Sequence, residues 1–274
     1  MTTVSVSVVI PAFNAALTID RAIQSIQRQT QLPREIIVVD DASTDNTRQV
    51  VTHTAQECTV PIRLVTNSQN VGPGVSRNTG WDLATSDLVA FLDSDDFWHP
   101  QKLAIQVTQM CAEPEIVMSC HDRSVGDFST SNSVQISNIV VRDLSFRDFL
   151  IRNRCATPSV LVRRTIRERF HPELRFAEDY HLWLRIARNY KRVRFIELSL
   201  VHCVNPAYGG PGLSGKLWLM FQSEIRVFIA LRQQQALPGL LLVPVIAWST
   251  MRFLVRLVDH LILDDRIQTV SESR

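Results

Sequence analysis

The sequence predicts an α/β fold: a Rossmann-like mixed sheet flanked by helices, with a helical extension at its carboxyl end. Three observations carry that prediction. Short apolar, β-branched runs alternate with helical patterns four times in about the first hundred residues, the layout of successive βαβ units. Acidic residues stand at the carboxyl ends of at least two of those runs, where open parallel sheets bind their ligands. Beyond Lys216 the composition changes, first to an amphipathic pattern and then to a largely uncharged one. The expected division is therefore a domain over residues 1–215 and an extension over 216–274.

Val4 to Ile10 reads as a buried first strand that breaks into a loop at Pro11-Ala12-Phe13-Asn14. Thr18 can cap a helix that carries Ile19, Ala22, Ile23 and Ile26 on one face. Glu35 to Val39 is the second strand, and Asp40 to Thr47 leads from it into the next helix. Asp40 and Asp41 are placed either to meet a ligand or to cap that helix. Ile62 to Thr66 is the third strand, and the glycine-rich stretch Asn70 to Gly80 reads as a loop feeding a helix. It fits neither G-x-x-x-x-G-K-[ST] nor G-x-G-x-x-G, so neither a P-loop nor a dinucleotide fingerprint is supported.

The apolar run Leu88 to Leu92 is short enough for one buried strand, and it delivers Asp93, Asp95 and Asp96 together at its exit. Repulsion among three carboxylates favours a bound cation, and their oxygens are the ligands that Mg²⁺ or Mn²⁺ accept. A solvated acidic turn capping the next helix is the alternative for the same residues. Pro100 to Cys111 is helical in pattern, and Ile116 to Cys120 is a strand. Asp122 to Asn138 is a polar loop expected to lie over a site and to take part in selecting its ligand. A basic helix is expected from Asp143 to Pro158, then a strand from Ser159 to Val162. In Arg175 to Ala187 the spacing of Leu182 and Ile186 puts Glu178 and Asp179 at a helix amino terminus, where the dipole steadies an ionised carboxylate. Phe195 to Val201 is the last strand, ending in His202, and Gly209-Gly210-Pro211-Gly212 breaks the chain. Lys216 to Arg232 forms an amphipathic helix. The uncharged run Leu240 to Met251 is shorter than the roughly 20 residues that a bilayer requires and contains Pro244, so the extension is expected to lie on a membrane surface, with docking on the protein and a true span as the alternatives.

The formal charge of +2 is too small, and basic arms too absent, to make nucleic acid a partner. Charge is concentrated, however: Arg142 to Arg194 holds 14 Arg or Lys against 6 Asp or Glu, a surface suited to phosphates or anionic lipid. Five dispersed cysteines without a C-x-x-C pair are expected to be buried thiols of a reducing compartment. No basic segment precedes the first strand, so the expected location is the cytoplasm, at the inner face of the cell membrane.

Taken together, Val4 to Asn14, Glu35 to Thr47, Asn70 to Gly80, Leu92-Asp93-Ser94-Asp95-Asp96 and Glu178-Asp179 resemble the family 2 glycosyltransferases, over roughly residues 4 to 210. The resemblance implies the GT-A nucleotide-diphospho-sugar transferase fold and a UDP-sugar donor. Pro11, Ala12, Phe13 and Asp41 would hold the base, Arg77 and Asn78 would line the nucleotide pocket, and Asp93 and Ser94 would face the ribose and the metal. Asp95, with Asp93 and a downstream His202, would coordinate Mg²⁺ or Mn²⁺. Asp179 would be the catalytic base, with Glu178 as its competitor. The chemistry agrees: transfer from a nucleotide diphosphate needs one base for the acceptor hydroxyl and one cation for the departing diphosphate, whereas a glycoside hydrolase needs two carboxyl groups. The expected activity is inverting transfer to a glycan or lipid-linked saccharide in bacterial surface polysaccharide synthesis, with peripheral membrane association. A non-catalytic nucleotide-sugar-binding scaffold and a polyprenyl-phosphate glycosyltransferase are the alternatives.

Overall fold

A computed structural model describes residues 4–125, 139–190, 192–204 and 217–272, with side chains up to residue 258. It divides into two units, 1–204 and 205–274. The first is built on a nine-stranded mixed sheet. In chain order its strands are β1 (Val6–Ala12), β2 (Glu35–Asp40), β3 (Ile62–Thr66), β4 (Leu88–Phe91), β5 (Phe97–Trp98), β6 (Met118–Val125), β7 (Val141–Leu144), β8 (Leu161–Arg163) and β9 (Val193–Cys203). They lie in the order β3-β2-β1-β4-β8-β6-β9-β5, with β7 also on β9. The first four run parallel, and β8 reverses direction against β4, so the parallel half gives way to a mixed half at that point.

The helices of this unit are α1 (Ile19–Gln27), α2 (Thr47–Glu57), α3 (Pro73–Leu83), α4 (Lys102–Ala112), α5 (Phe146–Ile151) and α6 (Glu178–Asn189). The period-2 alternation of strands assigns their faces. Val6, Val8 and Ile10 of β1 share a core with Ile19, Ile23 and Ile26 of α1 and with Leu103, Val107 and Met110 of α4. Val9 points to the opposite face, where α3 comes so close that a side chain at Gly80 would collide with it. There the ring contacts run from Trp81 through Phe91 and Phe170 to Trp183, joining α3, β4 and α6 edge to face.

Several expectations are corrected. Pro11 and Ala12 continue β1, paired with Val39 and Asp40 on one side, while the pairing with β4 ends at Val9, so the missing proline N–H is not called on there. Most of Asn70 to Gly80 is helical: Pro73 starts α3 behind Gly72, whose φ of +91° makes the turn. The acidic exit runs into the two-residue strand β5, paired with His202 and Val201, before the next helix begins. β6 extends through Asp122 to Val125; the rest of the loop expected to Asn138 lies outside the described residues, as does Gly209 to Gly212. The basic helix shrinks to α5, set by a capping box between Ser145 and Asp148, and leaves Arg152 and Arg154 beyond its end. Five buried thiols are not found: Cys120 and Cys155 are joined as a disulfide, Cys111 is exposed and Cys58 half-buried, leaving Cys203 buried.

The second unit contains α7 (Leu217–Gln233) and α8 (Gly239–Glu272). The apolar stretch continues past the uncharged run, through Arg252 and Arg256. α8 continues through Pro244, its sixth residue, and Gly239–Val258 is a 20-residue segment that is by length and composition sufficient to cross a membrane.

Candidate active site

The carboxyl ends of β1, β2 and β4 meet at one edge of the parallel half, and the amino terminus of α6 arrives at the same place. Three of the four non-glycine residues with positive φ stand there: Asn14 after β1, Ala42 after β2 and Ala177 before α6. Left-handed backbone at an alanine costs of the order of 1–2 kcal/mol, and such strain concentrates at functional sites.

Asp41 is buried and uses both carboxylate oxygens to hold the turn ahead of α3. Oδ1 accepts from Asn67 Nδ2 at 2.9 Å and from the Val71 N–H at 3.0 Å, while Oδ2 accepts from the Gly72 N–H at 2.8 Å. Asn14 Oδ1 accepts from the Thr44 N–H at 2.9 Å, tying the β1 exit to the β2 exit. Pro11 and Ala12 are buried at the end of β1, and Phe13 is exposed just past them, at the mouth of the edge.

The centre of the site is Arg77 on α3. It is buried, and its guanidinium bridges two carboxylates, donating Nη2–H to Asp93 at 2.6 Å and Nη1–H to Glu178 at 3.0 Å. Its charge also lies over the Phe170 ring at 5.4 Å. Asn78 is spent on the same neighbour, donating to the Phe170 carbonyl at 2.8 Å and accepting its N–H at 2.9 Å. Arg77 thus joins the acidic exit of β4 to the first turn of α6. The family resemblance implies a nucleotide pocket lined by both residues; each also has an internal partner in the structure.

Glu178 and Asp179 are consecutive but differently housed. Burial, opposed by Arg77, pushes Glu178 up to about 7. Asp179 keeps partial exposure; burial also raises its pKa, while the Tyr180 N–H at 2.6 Å and the Thr157 hydroxyl at 3.3 Å hold its two oxygens. A carboxylate that is oriented, reachable and more basic than usual is what proton abstraction calls for. Thr157 lies in the turn between α5 and β8, far in sequence, and nothing in the sequence pointed to it.

At the exit of β4, Asp93 is half-buried and Asp96 nearly fully so, and Ser94 is half-buried in the turn between them. Asp96 Oδ1 accepts the Val204 N–H at 3.1 Å; burial and the neighbouring charges of Asp93 and Asp95 raise its pKa to about 8. Arg21 of α1 donates to the Asp95 carbonyl at 2.8 Å, a contact not visible in the sequence. His202 is buried on β9 with its ring 4.5 Å from that of Phe97, one strand from the acids. Among the described residues no three His, Cys, Asp or Glu side chains form a closed ligand cage. Mg²⁺ characteristically takes one or two carboxylates and completes its shell with substrate phosphates and water. Asp93 and Asp95, crowded by like charge, fit an open site of that type.

A family model described as "Glycosyl transferase family 2" matches residues 7–170. The chain is 31% identical over 184 residues to a UDP-Glc:alpha-D-GlcNAc-diphosphoundecaprenol beta-1,3-glucosyltransferase of Escherichia coli, covering 67% of this chain and 70% of that one. It spans smaller shares, 37% and 54%, of two other curated relatives, a glycosyltransferase of Nostoc and the succinoglycan biosynthesis protein ExoO of Rhizobium meliloti. Among solved structures, S. aureus TarS 1–349 in complex with UDP superposes with a TM-score of 0.63 at 18% identity, over 82% of this chain and 64% of that one. The mannosyltransferase PcManGT from Pyrobaculum calidifontis, in complex with GDP-Man and Mn²⁺, gives 0.65 at 22% identity, over 90% and 69%. At those identities the likeness is one of fold, and the fold is GT-A.

Proposed function

Because the chain belongs to glycosyl transferase family 2, we propose that it transfers a sugar, with inversion, from a UDP-sugar to a hydroxyl of a glycan or lipid-linked saccharide in bacterial surface polysaccharide synthesis. The observation that carries this reading is Asp179: a reachable carboxylate of raised basicity, fixed at the start of α6 beside the acidic exit of β4. The acceptor oxygen attacks the anomeric carbon as its proton passes to an Asp179 oxygen, and the bond from that carbon to the diphosphate breaks on the opposite face, releasing UDP. Attack and departure on opposite faces invert the anomeric centre.

The two carboxylates divide the work. Glu178 lends its charge to Arg77, and protonating it would weaken a buried ion pair, so it positions rather than abstracts. Asp93 and Asp95 would hold a divalent cation, which when bound neutralises charge on the departing diphosphate. UDP in the TarS complex and the lipid-linked substrate in the name of the E. coli relative support this choice of donor and acceptor. A pure nucleotide-sugar-binding scaffold has no use for the oriented base.

The test is UDP release from a panel of UDP-sugars with Mg²⁺ or Mn²⁺, followed by linkage analysis of the product. Asp179→Asn should lower kcat by about 10²–10⁴ with the fold retained, and Asp95→Ala should abolish the response to added metal. Wild-type rates in either variant would overturn the assignment, and UDP-sugar binding without transfer to any acceptor would favour the scaffold.

A further inference from the structure

We propose that α7 and α8 form a hairpin that lies flat in one leaflet of a lipid bilayer, with the Gly239–Val258 stretch of α8 immersed among the acyl chains and α7 at the level of the headgroups. The argument starts from an inversion of polarity. Between Gly239 and Val258 every exposed side chain of α8 is apolar, among them Leu240, Val243, Trp248, Met251, Leu254 and Val258. None of the polar side chains of the same segment is fully exposed, and Arg256 is half-buried. Ser249 is buried, Thr250 donates its hydroxyl to the Ile246 carbonyl at 2.9 Å, and Arg252 forms a shielded ion pair with Glu224 of α7. A helix packed in water shows the opposite arrangement. Apolar outward and polar inward is the order that hydrocarbon favours, since lipid solvates neither an open donor nor an open acceptor; Ser249 Oγ is buried without a partner among the described residues.

Two features select the occupant and the orientation. At about 100° per residue the exposed positions cover roughly 160° of the helix, a breadth that lipid can wet along the whole of the stretch. The 20-residue segment is about 30 Å long, enough to cross a bilayer. Yet α7, packed along it, keeps Arg226 and Arg232 exposed. A crossing hairpin would drag Arg226, in the middle of α7, into hydrocarbon, whereas a flat one sets both arginines among anionic headgroups. The hairpin is thus graded as a pair: Gly239–Val258 of α8 exposes only apolar side chains, while α7 mixes exposed Arg226 and Arg232 with exposed Trp218, Leu219 and Ile229, a composition suited to the headgroup level. Its use rests on the transferase reading, because a lipid-linked acceptor is met at that surface; the geometry does not.

The experiment uses the full chain and vesicles of phosphatidylethanolamine and phosphatidylglycerol, with or without bromine on the acyl chains. Brominated lipid should quench the tryptophan fluorescence, and Trp248→Phe should lose at least about half of that quenching. Val243→Asp with Leu254→Asp, both at exposed positions, should weaken vesicle co-sedimentation at least about tenfold while circular dichroism stays unchanged. Arg226→Asp should weaken it only when phosphatidylglycerol is present. Equal quenching in Trp248→Phe, or co-sedimentation indifferent to the two aspartates, overturns the proposal; so does self-association without vesicle binding. A carboxyl-terminal tag protected from external protease overturns the flat orientation. UDP release by the same samples without vesicles reports on the transferase reading separately, so the two can fail independently.

Discussion

Replacing Arg77 with Met removes the cation shared by Asp93 and Glu178 while keeping most of the side chain's volume. Both contacts are short, 2.6 and 3.0 Å, and the guanidinium is buried, so the loss strands two carboxylates near a third, Asp179. Removing one member of a buried ion pair costs about 3–5 kcal/mol. In a unit of some 200 residues each kcal/mol moves the melting temperature by about 2–4 °C, which puts the expected fall at about 6–20 °C. Glu178→Gln made in the same chain removes one stranded charge and should recover about 1–3 kcal/mol, a coupling readable in a double-mutant cycle of denaturant unfolding. The pH profile gives a second readout. Arg77 lowers the pKa of both Glu178 and Asp179, so without it both rise, and the acid limb of kcat should move to higher pH in Arg77→Met. Additive effects of the two substitutions within about 0.5 kcal/mol, together with an unmoved acid limb, would refute the bridge.

Three further outcomes follow from other parts of the fold. Lys102 is fully buried, with Nζ 3.9 Å from the Trp98 ring centre and no hydrogen-bond partner, and burial depresses its pKa well below 10.5. The unfolded chain therefore binds more protons below pH 10.5, and wild-type stability should rise with pH in the window between the depressed folded pKa and 10.5, by up to about 1.4 kcal/mol per unit. Lys102→Met should raise the melting temperature at pH 7, with a gain that shrinks as pH approaches 10.5. A side chain at Gly80 would press on both Val9 methyls and on Val39 at 3.3 Å, so Gly80→Ala should cost about 1–3 kcal/mol in denaturant unfolding. Ala177 holds φ of 56° ahead of the two carboxylates; Ala177→Gly should preserve kcat and gain up to about 1 kcal/mol, whereas Ala177→Val should lower both stability and kcat.

What could be read from the sequence was whatever is encoded locally. The runs at Val6, Glu35, Ile62 and Leu88 announce strands because apolar β-branched residues and their punctuation are contiguous, and β2 to β4 lie within a residue or so of their expected ends. The acids at 93, 95 and 96 and the pair at 178 and 179 stood out because like charges in a cluster need a reason. What escaped depends on contacts between distant segments. β5 is only two residues long, and its pairing with His202 is the only thing that makes it a strand. The partner of Arg77 is 101 positions away, that of Thr157 22 away, and neither has a spacing rule. The disulfide of Cys120 and Cys155 joins β6 to the segment after α5, which no cysteine count reveals. For α8 the uncharged run in the sequence stops at Arg252, and the charge that ends it is paired with Glu224 of α7, 28 positions away.

The adjacency of Glu178 and Asp179 can be understood through helix geometry. Consecutive residues on a helix leave its axis about 100° apart, so two neighbouring carboxylates in a first turn cannot serve the same partner. One faces α3 and meets Arg77; the other faces the turn that carries Thr157. Were both left without a cation, burial beside each other and beside Asp93 would favour protonation of at least one at neutral pH, and a protonated acid cannot take a proton. Arg77 opposes that outcome for both by charge, and by its hydrogen bond it secures Glu178 in particular. The left-handed Ala177 stands immediately ahead of both, where the helix begins. On this view the pair is one device with two parts, in which the acid that carries no proton is as necessary as the one that does.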